Sequence, residues 1–94
     1  MLSSGQKKEL KSLAHPLKPI FQVGKGGVSE NMLIGIKSAL KAQELIKVKL
    51  LESCDEDIKV VALKISEYTK CEVVQIIGRT IVLYMRVKDG NIRV

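Results

Sequence analysis

The stretch that most constrains this fold is Gly24-Lys25-Gly26-Gly27. A short apolar run, Pro19-Ile20-Phe21-Gln22-Val23, precedes it, and after Val28 and Ser29 a helical pattern begins at Glu30. The chain must therefore leave a strand over about residues 19–23, turn on nearly bare backbone and enter a helix. Glycines let the backbone approach whatever sits over the turn with no Cβ in the way. The first free N–H groups of the helix and its positive dipole end point to the same place. Lys25 adds a full charge at the tip, and such a turn suits a phosphate.

Three readings compete for this turn. One is a plain tight connection that needs positive φ. A second is a mononucleotide or dinucleotide site, which the spacing fits badly. The NTPase phosphate loop G-x-x-x-x-G-K-[ST] is absent. Gly24 and Gly26 begin G-x-G-x-x-G, but Ser29 stands where the third glycine belongs, and Glu44, at the distance of a ribose-binding acid, precedes the next strand rather than ending it. The third reading is a nucleic-acid backbone clamp of the KH kind, in which a G-x-x-G loop holds nucleotides through their phosphates.

The patterns on either side set the architecture. Ser3 or Ser4 caps a first helix running to about Ala14, with Leu10, Leu13 and Leu17 at helical spacing, Leu17 beyond the helix end, and Pro16 disfavouring helix at His15. Ser29 caps the second helix, and Val28 and Leu33 have the spacing of a hydrophobic staple that makes the turn rigid. Met32, Leu33, Ile36, Ala39 and Leu40 form its buried stripe, and Lys37 and Lys41 face away. Strand Ile46–Leu51 alternates, placing Ile46, Val48 and Leu50 on a core and Lys47 and Lys49 on an opposite, wet face. A third helix follows with Asp55 as cap, Ile58, Val61, Ala62 and Ile65 inside and Tyr68 closing the stripe. Val73–Ile77 and Thr80–Tyr84 flank Gly78-Arg79, a Gly-X loop of the type II′ hairpin. Residues 87–94 read as a polar tail, with a loose extra strand as the alternative. The order α-β-α-β-α-β-β predicts a two-layer α+β domain with a mixed four-stranded sheet, the first two strands parallel and helices mainly on one side.

At 94 residues this is one domain with a modest core, which we place at about residues 3–86. Cys54 and Cys71 have no metal-ligand spacing and read as two reduced thiols, and His15 reads as structural. The acids Glu52, Asp55, Glu56 and Asp57 are explained by helix capping rather than by a catalytic pair. We therefore expect no enzyme, no cofactor and no metal. No apolar run is long enough to span a membrane, and the N-terminus lacks a signal-peptide core, so a cytoplasmic protein without membrane contact is expected. Of the net charge of +6, all lies in residues 1–49, where nine lysines face three glutamates; residues 50–94 net to zero. A polyanionic partner would use that asymmetry through counterion release. Phe21, Tyr68 and Tyr84 are the whole aromatic complement, too few for base stacking across an open sheet.

Four runs in order complete the reading: Leu13-Ala14-His15-Pro16-Leu17-Lys18-Pro19, Val23-Gly24-Lys25-Gly26-Gly27, Glu44-Leu45-Ile46-Lys47-Val48-Lys49, and Val74 through Tyr84 around Gly78-Arg79. Together they resemble the CRM domain (chloroplast RNA splicing and ribosome maturation), most of all the stand-alone bacterial YhbY-like proteins. The resemblance implies a fold similar to the C-terminal domain of translation initiation factor three. It also implies RNA binding through the G-x-x-G loop, association with precursors of the large ribosomal subunit, and no enzymatic activity. The expected RNA contacts are Gly24, Lys25, Gly26 and Gly27 first. Lys7, Lys11, Lys18 and Arg79 come next, and Lys37 and Lys41 after them. Lys47 and Lys49 are left open. The lysines are expected to lie on the same side as the turn, in a protein that acts as a monomer. The rival readings are a small protein-interaction module, with Val82 and Tyr84 on its patch, and a mononucleotide-binding protein.

Overall fold

The structure, a computed structural model, describes residues 2–87, 90 and 92. Helix α1 (Ser4–Ala14) leads into strand β1 (Phe21–Val23), helix α2 (Glu30–Gln43), strand β2 (Leu45–Leu50) and helix α3 (Ile58–Thr69). Strands β3 (Glu72–Ile77) and β4 (Thr80–Tyr84) close the domain as a hairpin. The mixed four-stranded sheet runs β1-β2-β4-β3, with β1 parallel to β2 and β4 antiparallel to both neighbours. Gly78 has φ +58° and Arg79 a negative φ, as a type II′ turn requires.

Local chemistry explains the helix ends. Ser3 and Gln6 form a capping box: the Ser3 hydroxyl accepts from the Gln6 N–H at 3.1 Å, and Gln6 Oε1 accepts from the Ser3 N–H at 2.8 Å. The Ser29 hydroxyl accepts from the Met32 N–H at 3.1 Å and starts α2 as expected. Helix α3 corrects the sequence reading. Its cap is Asp57, whose Oδ1 accepts from the Lys59 N–H at 2.8 Å, and Asp55 stays in the preceding loop. The helix starts at Ile58, so that Val61, Ala62, Ile65 and Thr69 fall on its buried side and the cap falls immediately before it.

Packing divides the core in two. Ile46, Val48, Leu50, Ile81 and Leu83 face α2 and α3, where Ile36, Leu40, Val61 and Ile65 meet them. On the other face Leu45, Val74, Val82 and Tyr84 are covered by Leu10 and Ala14 of α1. Two helices thus share one face and the first covers part of the other. The cause is β4, whose residues Ile81 to Tyr84 are all apolar and buried, so both of its faces need cover. This closes the interaction patch expected at Val82 and Tyr84. The inward residues of α1 are Leu10 and Ala14, whereas Leu13 is 46 % exposed, against the spacing read from the sequence; Leu17 lies beyond the helix end, as expected, and is 39 % exposed. Tyr68 is likewise 40 % exposed rather than closing the α3 stripe.

The wet face expected beside Lys47 and Lys49 is correspondingly narrower. The Lys47 ammonium donates to the Leu17 carbonyl at 3.0 Å and the His15 carbonyl at 3.4 Å. A cation there favours the C-terminal dipole end of α1. Lys49 remains exposed. Cys54 and Cys71 are buried free thiols, and burial pushes the Cys71 thiol up. Of the tail 87–94, only residues 87, 90 and 92 are described, and none is in a strand. The Ile92 N–H lies 3.4 Å from both carboxylate oxygens of Glu44, and Ile92 packs against the cluster that α1 covers. The remainder of the tail lies outside the described residues.

Candidate functional site

Strand direction brings several loops to one end of the molecule. Because β1 and β2 are parallel and β4 runs against them, the Gly24–Gly27 turn, the loop over residues 51–57 and the Gly78-Arg79 turn lie together. Val23, fully buried, anchors the turn from below, and its carbonyl accepts from the Leu51 N–H at 2.8 Å. The turn closes on itself through the Gly27 N–H, which donates to the Gly24 carbonyl at 3.1 Å. Val28 and Leu33, the staple residues, both pack against the core. The tip, Lys25 and Gly26, is exposed.

Two glycines here do different work. Gly26 has φ +91°, and a Cβ built on it would meet nothing within 4 Å. Gly27 has φ +73°, and a Cβ there would overlap the Glu56 carboxylate. That carboxylate pairs with the Lys64 ammonium of α3. The bond from Lys64, outweighing the burial that opposes it, holds the Glu56 carboxyl below the usual carboxylate range. The turn is therefore two-sided. Its inner side is braced by Glu56, and its outer side, Lys25 and Gly26, is open.

This arrangement bears on which anion the turn can take. A terminal phosphate seated at the start of α2 would meet two carboxylates, Glu56 and Glu30 of the first helical turn. Beside the turn lies a cavity of about 250 Å³ lined by Cys54, Glu56, Asp57 and Arg79 among others, and it offers an anion the same mixed charge. Glu44 is not placed to bind a ribose: it ends α2 at φ +67° and is buried under the tail. Among the described residues no group of His, Cys, Asp and Glu could hold a metal ion, and no helix is long and apolar enough to cross a membrane.

The lysines assigned from the sequence do not form one patch. Lys25 stands on the glycine turn, and Lys18 lies before β1, with the length of that strand between them. Lys7 and Lys11, one helical turn apart, ride on α1 on one face of the sheet. Lys37 and Lys41 ride on α2 beyond the opposite face. Lys37 also sits over the Tyr68 ring, 5.8 Å from its centroid. Arg79 shares the end of the molecule with the glycine turn, but its guanidinium is engaged: Nε donates to the Leu50 carbonyl at 3.1 Å and Nη2 to the Leu51 carbonyl. It fastens the hairpin to the loop after β2.

Two features escaped the sequence. Gln22, Lys49 and Thr80 stand in register across β1, β2 and β4, a polar row of about 10 Å on the α1 side of the sheet. The alternation of β2 sends Lys49 to that side, but its neighbours become visible only with the strand order. Glu56 is the other, read as part of a capping cluster when it in fact reaches the turn.

Comparison with known proteins now decides the family. The model of the CRS1/YhbY (CRM) domain matches residues 2–85. This chain belongs to that family. A relative from Bacillus subtilis, "Probable RNA-binding protein YqeI", is 52 % identical over 91 residues, covering 97 % of this chain and 95 % of the relative. A Haemophilus influenzae protein named "RNA-binding protein" is 39 % identical over 92 residues, covering 98 % and 93 %. Among solved structures, the hypothetical protein SAV1595 of Staphylococcus aureus superposes with a TM-score of 0.82 at 47 % identity, over 97 % of this chain and 95 % of that one. In this CRM domain the α1 lysines and the Gln22–Lys49–Thr80 row lie on one face of the sheet, and the glycine tip lies at the end where β1 finishes.

Proposed function

We propose that this CRM domain binds structured RNA by its ribose-phosphate backbone, through the outer side of the Gly24–Gly27 turn and the basic α1 side of the sheet. The observation that carries the reading is the turn itself: an exposed Lys25-Gly26 tip on a rigid, internally braced support. Backbone amides and a lysine held this way suit phosphates of a chain that passes over them.

The α1 side is favoured over the α2–α3 side by its charge. Lys7 and Lys11 ride on α1, Lys47 and Lys49 belong to the same face of β2, and Lys18 follows the Leu17 carbonyl that Lys47 holds; against them stand Glu9 of α1 and Glu72 of β3. On the helical layer Lys37, Lys41, Lys59 and Lys64 alternate with Glu30, Glu56 and Glu67 and with exposed Ile34, Val60 and Leu63. No field of one sign builds up there. Base stacking on the sheet has no ring available: Phe21 packs against the core, Tyr84 is buried, and Tyr68 lies on α3.

The names of the relatives support RNA as the partner. Family likeness further supports ribosomal RNA in large-subunit precursors, a cytoplasmic monomer and a role that is not enzymatic. Crosslinking in cells followed by mapping of the RNA positions touched tests this: sites clustered on large-subunit precursor RNA are expected, and crosslinks spread over unrelated messages would overturn it. Equilibrium dialysis with labelled ATP and GTP tests the mononucleotide rival, for which saturable binding is the required result.

A further inference from the structure

We infer that the row Gln22–Lys49–Thr80 recognises the ribose of the bound strand: Lys49 takes a phosphate, and the Gln22 amide or the Thr80 hydroxyl beside it takes the neighbouring 2′-hydroxyl. The inference rests on the reading that this side of the sheet and the glycine turn contact RNA.

The fold leaves this row open. Gln22 stands opposite Lys49 in the parallel pair of β1 and β2, and Lys49 opposite Thr80 in the antiparallel pair of β2 and β4. The chain neighbours Phe21, Val48 and Ile81 all pack toward α2 and α3, so the three side chains leave the sheet on the α1 side. The apolar cover that α1 provides begins on β4 at Val82, and short of it Gln22 and Lys49 are exposed and Thr80 half-buried. This is also the end of the sheet at which β1 runs into Gly24, two residues after Gln22. A strand passing over the tip thus continues onto the row.

The chemistry follows from the spacing. Adjacent strands lie about 4.8 Å apart, so Lys49 has a neutral hydrogen-bonding side chain one strand away on each side. Gln22 offers two N–H donors and a carbonyl oxygen, and the Thr80 hydroxyl both donates and accepts. None of the three side chains has a hydrogen-bond or ion-pair partner among the described residues. Ile77, 55 % exposed and in register with Thr80, ends the row on β3 without a donor, so Lys49 is the position bracketed on both sides. No exposed ring lies on this face for bases to stack on, which turns the backbone of a bound strand toward the sheet. In that backbone each 2′-hydroxyl neighbours its own 3′-phosphate. A phosphate on Lys49 therefore brings a 2′-hydroxyl over Gln22 or Thr80, whichever way the strand crosses. Neutral groups there add little to phosphate attraction, but they suit a hydroxyl that donates and accepts, the group by which a protein tells RNA from DNA.

The test is fluorescence anisotropy of the full chain with a hairpin RNA and with the same hairpin carrying 2′-fluoro in place of every 2′-hydroxyl. Fluorine keeps the sugar pucker and the phosphate charge but cannot donate. The native chain should bind the RNA more tightly by about twofold to tenfold for each hydrogen bond lost. The double variant Gln22→Leu with Thr80→Val should lose that preference while its salt slope stays native, because neither residue is charged. Lys49→Ala should weaken both hairpins alike and flatten the slope by about 0.7 to 0.9. A native-like thermal melt shows that the double variant folds, valine keeping the β-branched shape of threonine. Gln22→Leu alone, at an exposed site, gives the same comparison with a smaller loss of preference if the double variant melts early. Equal affinity of the native chain for the two hairpins would overturn the inference. So would a native preference in the variants, or a changed preference among base sequences with the ribose preference intact. Native affinity in both Lys25→Ala and Lys49→Ala would remove the RNA reading of this surface and the inference with it. Weaker binding in both, with the ribose preference untouched by the Gln22 and Thr80 substitutions, removes only the ribose contact.

Discussion

Replacing Lys25 by alanine isolates the electrostatic part of the proposed contact. Lys25 is exposed on the tip, and its side chain has no partner among the described residues. Its loss should leave stability within about 0.5 kcal/mol, the usual range for surface positions. Each phosphate neutralised by a protein cation contributes about 0.7 (single strand) to 0.9 (duplex) to the slope of log K against log salt. The variant's slope should therefore be shallower by that amount. Over the decade between about 0.1 M and about 1 M salt, one contact is worth about fivefold to eightfold, so Lys25→Ala binds that much more weakly at the lower salt and equally at the higher. Lys37→Ala is the control: its ammonium lies over the Tyr68 ring on the other side of the sheet, and its RNA affinity should stay within about twofold of native. Fluorescence anisotropy on a structured RNA at several salt concentrations, beside a thermal melt, measures all of this. Parallel log–log lines for native and Lys25→Ala would refute phosphate contact at the tip. A large fall in melting temperature would mean that the lysine holds the turn together instead.

Three further expectations concern stability. Gly26→Ala and Gly27→Ala both place a side chain at positive φ, at about 1–2 kcal/mol each, but only the second also displaces Glu56, so urea denaturation should find Gly27→Ala the costlier; equal costs would show that the carboxylate yields freely. Tyr84 is 1 % exposed, and its hydroxyl has no hydrogen-bond partner among the described residues, so Tyr84→Phe should stabilise by about 1 kcal/mol and raise Tm by about 4–8 °C, a fall in Tm being the contrary result. Lys70 ends α3 in the left-handed region at φ +64°, and Lys70→Gly should gain about 0.5–1 kcal/mol by chemical denaturation unless its side chain makes up for the strain.

What could be read from the sequence was whatever depends on near neighbours. Ser29 before Glu30, the alternation of β2 and the Gly-Arg hairpin each declare themselves within a few residues, and the element order followed from them. Asp57 was missed because four acids stand together in residues 52–57, and only the burial register of Val61, Ala62 and Ile65 selects the one that caps. The position of α1 was missed for a different reason. Leu10 and Leu13 share a helical spacing, but which of them is buried depends on the twist and order of the strands beneath, where Val82 and Tyr84 stand.

The charge asymmetry illustrates the limit most clearly. All of the excess positive charge lies in the first 49 residues, which reads as one basic side. Yet α1 and α2 pack on opposite faces of the sheet, so chain halves do not map onto molecular faces, and the lysines of that half are divided between them. On the α2 side they share the helical layer with Glu67 of α3 and with Glu56 just before that helix, and the excess is reduced in space by residues distant in sequence. On the α1 side the second half contributes Glu72, which stands in register with Tyr84, against Lys7, Lys11, Lys47 and Lys49, so that among the described residues the excess is greater there. The Glu56 carboxylate, beside Gly27 and paired with Lys64 of α3, directs the same way: it sets a negative charge behind the glycines and leaves the lysine in front. A polyanion approaching the turn is thus met by repulsion on the inner side and attraction on the outer one. If RNA nevertheless protected Lys37 and Lys41 from acylation while leaving Lys11 and Lys49 reactive, this account of how charge is distributed over the fold would fail.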